Sequence, residues 1–227
     1  MKLCVALDND TLEENLALVE QLKDYDIWLK IGFRAYIRDG KNFIFALKNI
    51  NPKFKIFLDL KLYDIPNTMA DAAFEISQLG VDMFNVHASA GIKAMQTVMD
   101  RIQDIPSRPL VLAVTALTSF DNQSFKNIYN EDINQKATTF AIDSFQAGLD
   151  GVVCSAFESK VIKQNTSINF ITLAPGIRPF GEDAGDQQRV ADIALAQTEM
   201  VDFIVVGRPI YKSANPNEVV KKILEAI

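Results

Sequence analysis

The sequence predicts one (β/α)8 TIM barrel, an α/β fold occupying residues 1–227 as a single domain, with its functional mouth at the C-terminal ends of the strands. Three observations lead there. Eight short β-rich runs alternate with segments of helical period. No composition break, Pro-rich or Ser-rich linker or low-complexity tract separates them. Charged and polar residues, scarce inside the runs, collect where the runs end. A doubly wound open sheet is the main alternative. It usually has fewer strands and carries a glycine-rich turn after the first, which this chain lacks.

In chain order, the strand-like runs cover 3–7, 27–31, 55–60, 83–87, 110–115, 151–155, 169–173 and 203–206. They are largely apolar, as strands buried on both faces must be. Amphipathic segments at 11–23, 68–79, 92–102, 133–146, 186–196 and 218–226 read as helices. Asp10 and Thr11, followed by Glu13 and Glu14, give the first helix a capped and acidic start, and Pro66 suits the first turn of another. Gly80 and Gly148 fall where helix C-caps are expected. Two connections are long and polar, 117–130 after the fifth strand and 175–185 after the seventh. Long loops at this end of a barrel are more often functional lids than accidents.

A composition of 48% hydrophobic and 23% charged residues is that of a soluble globular protein. No apolar run approaches the roughly 20 residues of a membrane span. The opening Met1-Lys2-Leu3-Cys4-Val5-Ala6-Leu7-Asp8 meets a charge too early for a secretory signal, so a cytoplasmic location is expected. A net charge of −6 argues against nonspecific nucleic-acid binding but leaves room for a local anion pocket. Cys4 and Cys154 lie in apolar runs and read as small buried hydrophobes. With one histidine and two distant cysteines, a zinc site is poorly supported.

Residues 56–64 read Ile-Phe-Leu-Asp-Leu-Lys-Leu-Tyr-Asp. Strand alternation sends Phe57, Asp59 and Lys61 one way and Ile56, Leu58, Leu60 and Leu62 the other. An acid beside a base at a buried strand end is costly unless the charges pair. A structural ion pair would explain these charges alone, but the neighbouring strands favour a site. The first run ends in Asp8, the second in Lys30, and the fourth carries Asn85 and His87 on one face. Lysine is almost never buried without a partner. His87 also suits a hydrogen-bonded core histidine, and without a second histidine a Ser-His-Asp hydrolase has little support. In the other half, Ala174-Pro175-Gly176-Ile177-Arg178-Pro179 follows the seventh run and Val205-Val206-Gly207-Arg208-Pro209-Ile210 the eighth. Loops at these two places form the recurrent phosphate site of barrels. Gly207 would let the backbone approach a phosphate, and Arg208 could grip two of its oxygens.

These residues together resemble the orotidine 5′-phosphate decarboxylase family, essentially end to end. The resemblance rests on Asp59-x-Lys61-x-x-Asp64, on Lys30 before it, and on Pro-Gly-Ile-Arg178 and Val-Gly-Arg208 after it. It implies decarboxylation of orotidine monophosphate to uridine monophosphate, the last step of pyrimidine nucleotide synthesis, with no cofactor and no metal. It also implies a homodimer with active sites at the interface. On this likeness Lys30, Asp59, Lys61 and Asp64 form an alternating charge array, with Lys61 the proton donor to the ring carbon. Asp64 and Thr68 reach the partner's site. Asp8 and Lys30 hold the ribose hydroxyls, Thr118 and Ser119 face the pyrimidine, Gln187, Gly207 and Arg208 bind the phosphate, and Arg178 closes over it. The lid tips, 121–130 and 180–185, carry no motif to match.

Two other functions compete. Metal-dependent sugar-phosphate decarboxylases, aldolase-type synthases or epimerases of the same barrel superfamily share the Asp-x-Lys-x-x-Asp pattern and the phosphate loops. Their metal needs further oxygen ligands, whereas the second strand here offers the cation Lys30. A non-catalytic barrel that retains a phosphate pocket is the other, and it gains nothing obvious from burying the acid–base array.

Overall fold

Each apolar run becomes a strand: β1 (Lys2–Ala6), β2 (Trp28–Gly32), β3 (Lys55–Leu62), β4 (Met83–His87), β5 (Leu110–Val114), β6 (Gly151–Val153), β7 (Ile171–Ala174) and β8 (Phe203–Val206). In the computed structural model, which describes residues 1–182 and 188–227, all neighbouring strands are parallel and β1 closes onto β8. The chain is therefore a closed eight-stranded parallel barrel with helices between its strands. Those helices are α1 (Leu12–Gln21), α2 (Phe33–Asp39), α3 (Lys41–Ile50), α4 (Pro66–Ser77), α5 (Ile92–Ile102), α6 (Asn122–Tyr129), α7 (Ile133–Gln146), α8 (Ser159–Asn165), α9 (Ile193–Thr198), α10 (Arg208–Tyr211) and α11 (Pro216–Ala226). None of the described helices is long and apolar enough to cross a membrane.

Alternation along the strands builds two apolar layers. Leu3, Val5 and Leu7 point outward against the helices, while Cys4 and Ala6 point into the barrel. There they meet Phe57, Met83, Leu112, Leu173 and Phe203, and Trp28 packs edge-on against Phe203 with centroids 5.1 Å apart. The N-terminal half of the barrel is thus plugged by apolar side chains, leaving the C-terminal mouth as the place for polar ones. Closure also demands a glycine. A Cβ on Gly151 would lie 2.2 Å from the Ile171 carbonyl oxygen, so no larger residue fits where β6 meets β7.

Local signals explain the helix ends. Thr11 and Glu14 form a reciprocal capping box on α1, and Pro66 opens α4. Gly80 and Gly148 adopt left-handed φ of 73° and 81° just beyond α4 and α7, as the sequence suggested. The long connection 117–130 contains α6, capped by Asp121 through the Ser124 N–H at 2.7 Å. Of the helix expected over 186–196, residues 186 and 187 lie outside the described residues, 188–192 are irregular, and α9 begins at Ile193. The seventh strand begins two residues later than expected, at Ile171.

One device recurs below β4, β6 and β8. A left-handed residue, an apolar residue and an aspartate precede each strand: Gly80-Val81-Asp82, Gly148-Leu149-Asp150 and Met200-Val201-Asp202. Each aspartate accepts a backbone N–H from the preceding odd strand, at Ile56 (2.9 Å), Val111 (2.7 Å) and Thr172 (2.8 Å). Its own N–H returns to the carbonyl of that same residue. A cation completes each clamp: Lys55 on Asp82, Arg108 in a two-pronged pair on Asp150, and Lys163 on Asp202. These clamps fix strand register at the closed end and leave the mouth to function.

Candidate active site

The mouth is set by a break in strand pairing. β3 and β4 run in register at Leu58 and Phe84, and pairing resumes only at Leu62 with Val86. β3 thus carries two more residues than β4 across the gap, a bulge at the site rim. Within it Lys61 takes a left-handed φ of 49°, rare for a residue with a Cβ. Simple alternation is therefore not what brings Lys61 to the mouth. Bulge and turn do it, and Asn85 holds them in place. Its Oδ1 accepts the Lys61 N–H at 2.7 Å, and its Nδ2 donates to Asp59 Oδ1 at 2.8 Å.

Four charges then alternate. Asp59 Oδ1 accepts from Lys61 Nζ at 2.6 Å, and its Oδ2 lies 3.4 Å from Lys30 Nζ. Lys30 Nζ is 3.5 Å from Asp8 Oδ1 at the end of the first strand. Burial, the largest influence on Asp59, pushes its carboxyl up. Lys30, Lys61 and the bonds from Lys61 and Asn85 together outweigh burial and hold it below the usual carboxylate range. Burial likewise pulls Lys30 down, but Asp59 and Asp8 leave it above the usual lysine value. Asp59 and Lys30 thus each favour their charged form, and Lys61 Nζ also lies 5.5 Å from the Phe33 ring centroid.

One cavity gathers most of the expected residues. Asp8, Lys30, Asp59 and Lys61 line its first half, while Thr118, Ser119, Arg178, Gly207 and Arg208 line the second. Arg178 is buried, and its backbone N–H donates to the Ala191 carbonyl at 2.9 Å. Asp64 and Thr68 do not enter this cavity. They sit exposed beside it, around a shallow depression that Phe33 also lines and that shares Lys61 with the cavity. Asp64 Oδ1 accepts the Ile65 N–H at 2.7 Å, and among the described residues no ion pair joins it to Lys61. Gln187 lies outside the described residues. Among those residues no group of three or more His, Cys, Asp or Glu is placed to hold a metal ion.

The chain as a whole has known counterparts. The model of the Orotidine 5′-phosphate decarboxylase / HUMPS family matches residues 1–223. The chain belongs to this family. Proteins named orotidine 5′-phosphate decarboxylase share 67% identity with it in a Sulfurovum strain, over all of this chain and 99% of that protein, and 66% in a Nitratiruptor strain, over 99% of both. Among solved structures, the orotidine 5′-phosphate decarboxylase of Lactobacillus acidophilus superposes with a TM-score of 0.86 at 31% identity, covering 99% of this chain and 98% of that one. An uncharacterised conserved protein from Geobacillus kaustophilus gives the same TM-score at 28% identity, covering 99% of each chain.

Within this family fold, the role of Asn85 stood outside the sequence reading. Asn85 was visible only as a polar strand end, yet it touches both Asp59 and the Lys61 backbone. A buried asparagine two residues after an inward Met83 was the available signal. His87 accepts the Ser89 N–H at 3.3 Å through Nδ1 and caps the short turn that follows, and burial and Lys61 hold its imidazole below the usual value. That fits the hydrogen-bonded structural histidine.

Proposed function

We propose that the chain is a carboxy-lyase of pyrimidine nucleotide synthesis that converts orotidine 5′-phosphate to uridine 5′-phosphate. The observation that carries this reading is the paired Lys30–Asp59–Lys61 array lining one cavity together with Arg178 and Arg208. The names of the relatives support the same substrate.

Loss of carbon dioxide leaves electron density on a ring carbon with little resonance relief, so a fixed cation beside it is the natural catalyst. Lys61 supplies that cation and then donates a proton to the carbon, leaving a neutral amine to be reprotonated from solvent. Asp59 orients the ammonium through its 2.6 Å bond. Lys30 and Asp8 take the ribose hydroxyls, Thr118 and Ser119 the pyrimidine, and Gly207, Arg208 and Gln187 the phosphate, with Arg178 closing over it. Grip on the distant phosphate supplies binding energy that holds the ring against the array. This chemistry calls on no metal and no cofactor: Lys30 puts an ammonium where a metal would want an oxygen ligand.

Residues 1–227 act in this reading as one catalytic domain, in the cytoplasm, as a homodimer. Asp64 and Thr68 lie on the exposed surface beside Tyr63 and Ile65, which are 64% and 69% exposed. A second copy covering this apolar rim would carry Asp64 and Thr68 to its partner's cavity. Incubating the purified chain with orotidine monophosphate and following absorbance, with and without EDTA, tests the function. Turnover indifferent to the chelator is expected, and tight uridine monophosphate binding without turnover would favour a binding protein.

A further inference from the structure

We infer that Arg189 and Glu158 form a latch that positions the substrate-facing loops by tying together the C-terminal ends of β5, β6 and β7. The inference rests on the function proposed above, and it concerns residues that touch none of the charges of the array.

Glu158 closes a short turn directly after β6, and its side chain is only 3% exposed. One carboxylate oxygen accepts the Ser155 N–H at 3.0 Å, and the other is paired with Arg189 Nη1. The other terminal nitrogen of the same guanidinium, Nη2, donates to the carbonyls of Ala116 (3.3 Å) and Leu117 (3.4 Å), at the start of the β5 loop. The backbone repeats the connection: Gln188 and Arg189 both donate to the Thr118 carbonyl, at 3.1 and 3.3 Å. Just downstream, Ala191 pairs with Ile177 and accepts the Arg178 N–H at 2.9 Å. Residues 188–191 are therefore stitched on one side to the backbone of Thr118 and on the other to that of Arg178.

Stability alone does not account for such a pair. Desolvating two ions cancels much of their attraction, and well-packed apolar residues often serve a fold as well or better. Burial, the largest influence on Glu158, pushes its carboxyl above the usual range despite Arg189. What the ions provide and apolar packing cannot is direction. A planar guanidinium can hold a carboxylate through one terminal nitrogen and two loop carbonyls through the other. The pair thus converts a fixed point after β6 into a fixed position for the rim of the cavity. Removing it should leave Lys61 and Asp59 in place but let the rim adopt several arrangements, so substrate binding must first order it.

Replacing both partners at once, Glu158→Leu with Arg189→Met, tests this with the fold preserved. The expected result is a melting temperature within a few degrees of wild type, a KM for orotidine monophosphate raised by about 10–100-fold, the range seen when outer supporting contacts are lost, and a kcat within about 3-fold, since the array is untouched. Arg189→Lys keeps the charge on Glu158 but loses the fork to Ala116 and Leu117, and should give an intermediate KM. An unchanged KM in the folded double variant overturns the latch, as does a fall in kcat at constant KM. Should the double variant not fold, Arg189→Lys decides: a raised KM supports the latch, and a wild-type KM overturns it. A wild-type enzyme that turns over nothing would refute the function itself, separately from the latch.

Discussion

Asn85→Ala removes two hydrogen bonds that together define where the reactive ammonium sits. The bond from Asn85 Nδ2 to the ionised Asp59, at 2.8 Å, is charge-assisted and contributes about 1.5–3 kcal/mol. Loss of the acceptor for the Lys61 N–H, at 2.7 Å, costs about 1 kcal/mol more, because bulged β3 offers it no strand partner. Lys61 then has nothing to hold its left-handed φ of 49°, a conformation disfavoured by about 1–2 kcal/mol, and should relax toward extended backbone with its ammonium displaced. If the combined loss of roughly 2.5–4 kcal/mol appears in the transition state, kcat falls by about 10²–10³-fold at 1.36 kcal/mol per factor of ten. The assay is kcat from the absorbance of orotidine monophosphate, alongside urea denaturation to separate lost stability from lost positioning. A folded Asn85→Ala enzyme within about 3-fold of wild-type kcat would refute the reasoning, because the bulge would then hold Lys61 unaided.

Three other outcomes follow from the same structure. Arg208→Ala should lower kcat/KM strongly for orotidine monophosphate but little for the phosphate-free nucleoside; equal losses with both would contradict its phosphate role. The charge array predicts a pH dependence. Asp59 is held below the ordinary value near 3.9, so its contribution to stability is present above that pH and lost as pH falls through the lower folded value. Lys30→Met leaves burial to push Asp59 up instead, so the variant's stability deficit should be largest near neutrality and shrink on acidification; a deficit independent of pH in urea titrations would count against the array. Met200 occupies with φ 57° the place that Gly80 and Gly148 fill in the other clamps, so Met200→Gly should stabilise the fold by about 0.5–1 kcal/mol. A loss of stability in chemical denaturation would overturn that reading.

The barrel was legible in the sequence because its strands are buried on both faces and its polar residues stand at strand ends. Asp8, Lys30 and Asp59 could be placed at the mouth on that basis, and Pro66 could be set at a helix start. The position of Lys61 could not be derived correctly. Alternation gave the right side of the strand for the wrong reason, since the actual placement depends on a bulge that only pairing with β4 reveals. Helix α2 was not singled out because its Phe33 and Ile37 are exposed, which blurs the inward stripe, whereas α3 buries Phe43, Ile44 and Leu47 at helical spacing and was simply passed over. Glu158 and Arg189 stayed hidden for a different reason. They lie 31 residues apart, and an isolated Glu or Arg near a loop reads as ordinary surface until the fold buries the pair.

The central claim is that the ammonium of Lys61, held by Asp59 and Asn85, carries the decarboxylation. The direct measurement is the turnover of orotidine monophosphate by Lys61→Ala beside wild type, with melting curves for both. Losing the positioned cation and the proton donor together should cost at least about 10⁴-fold in kcat, with the fold intact and uridine monophosphate still bound through Arg208. Near-wild-type turnover by folded Lys61→Ala would contradict the account.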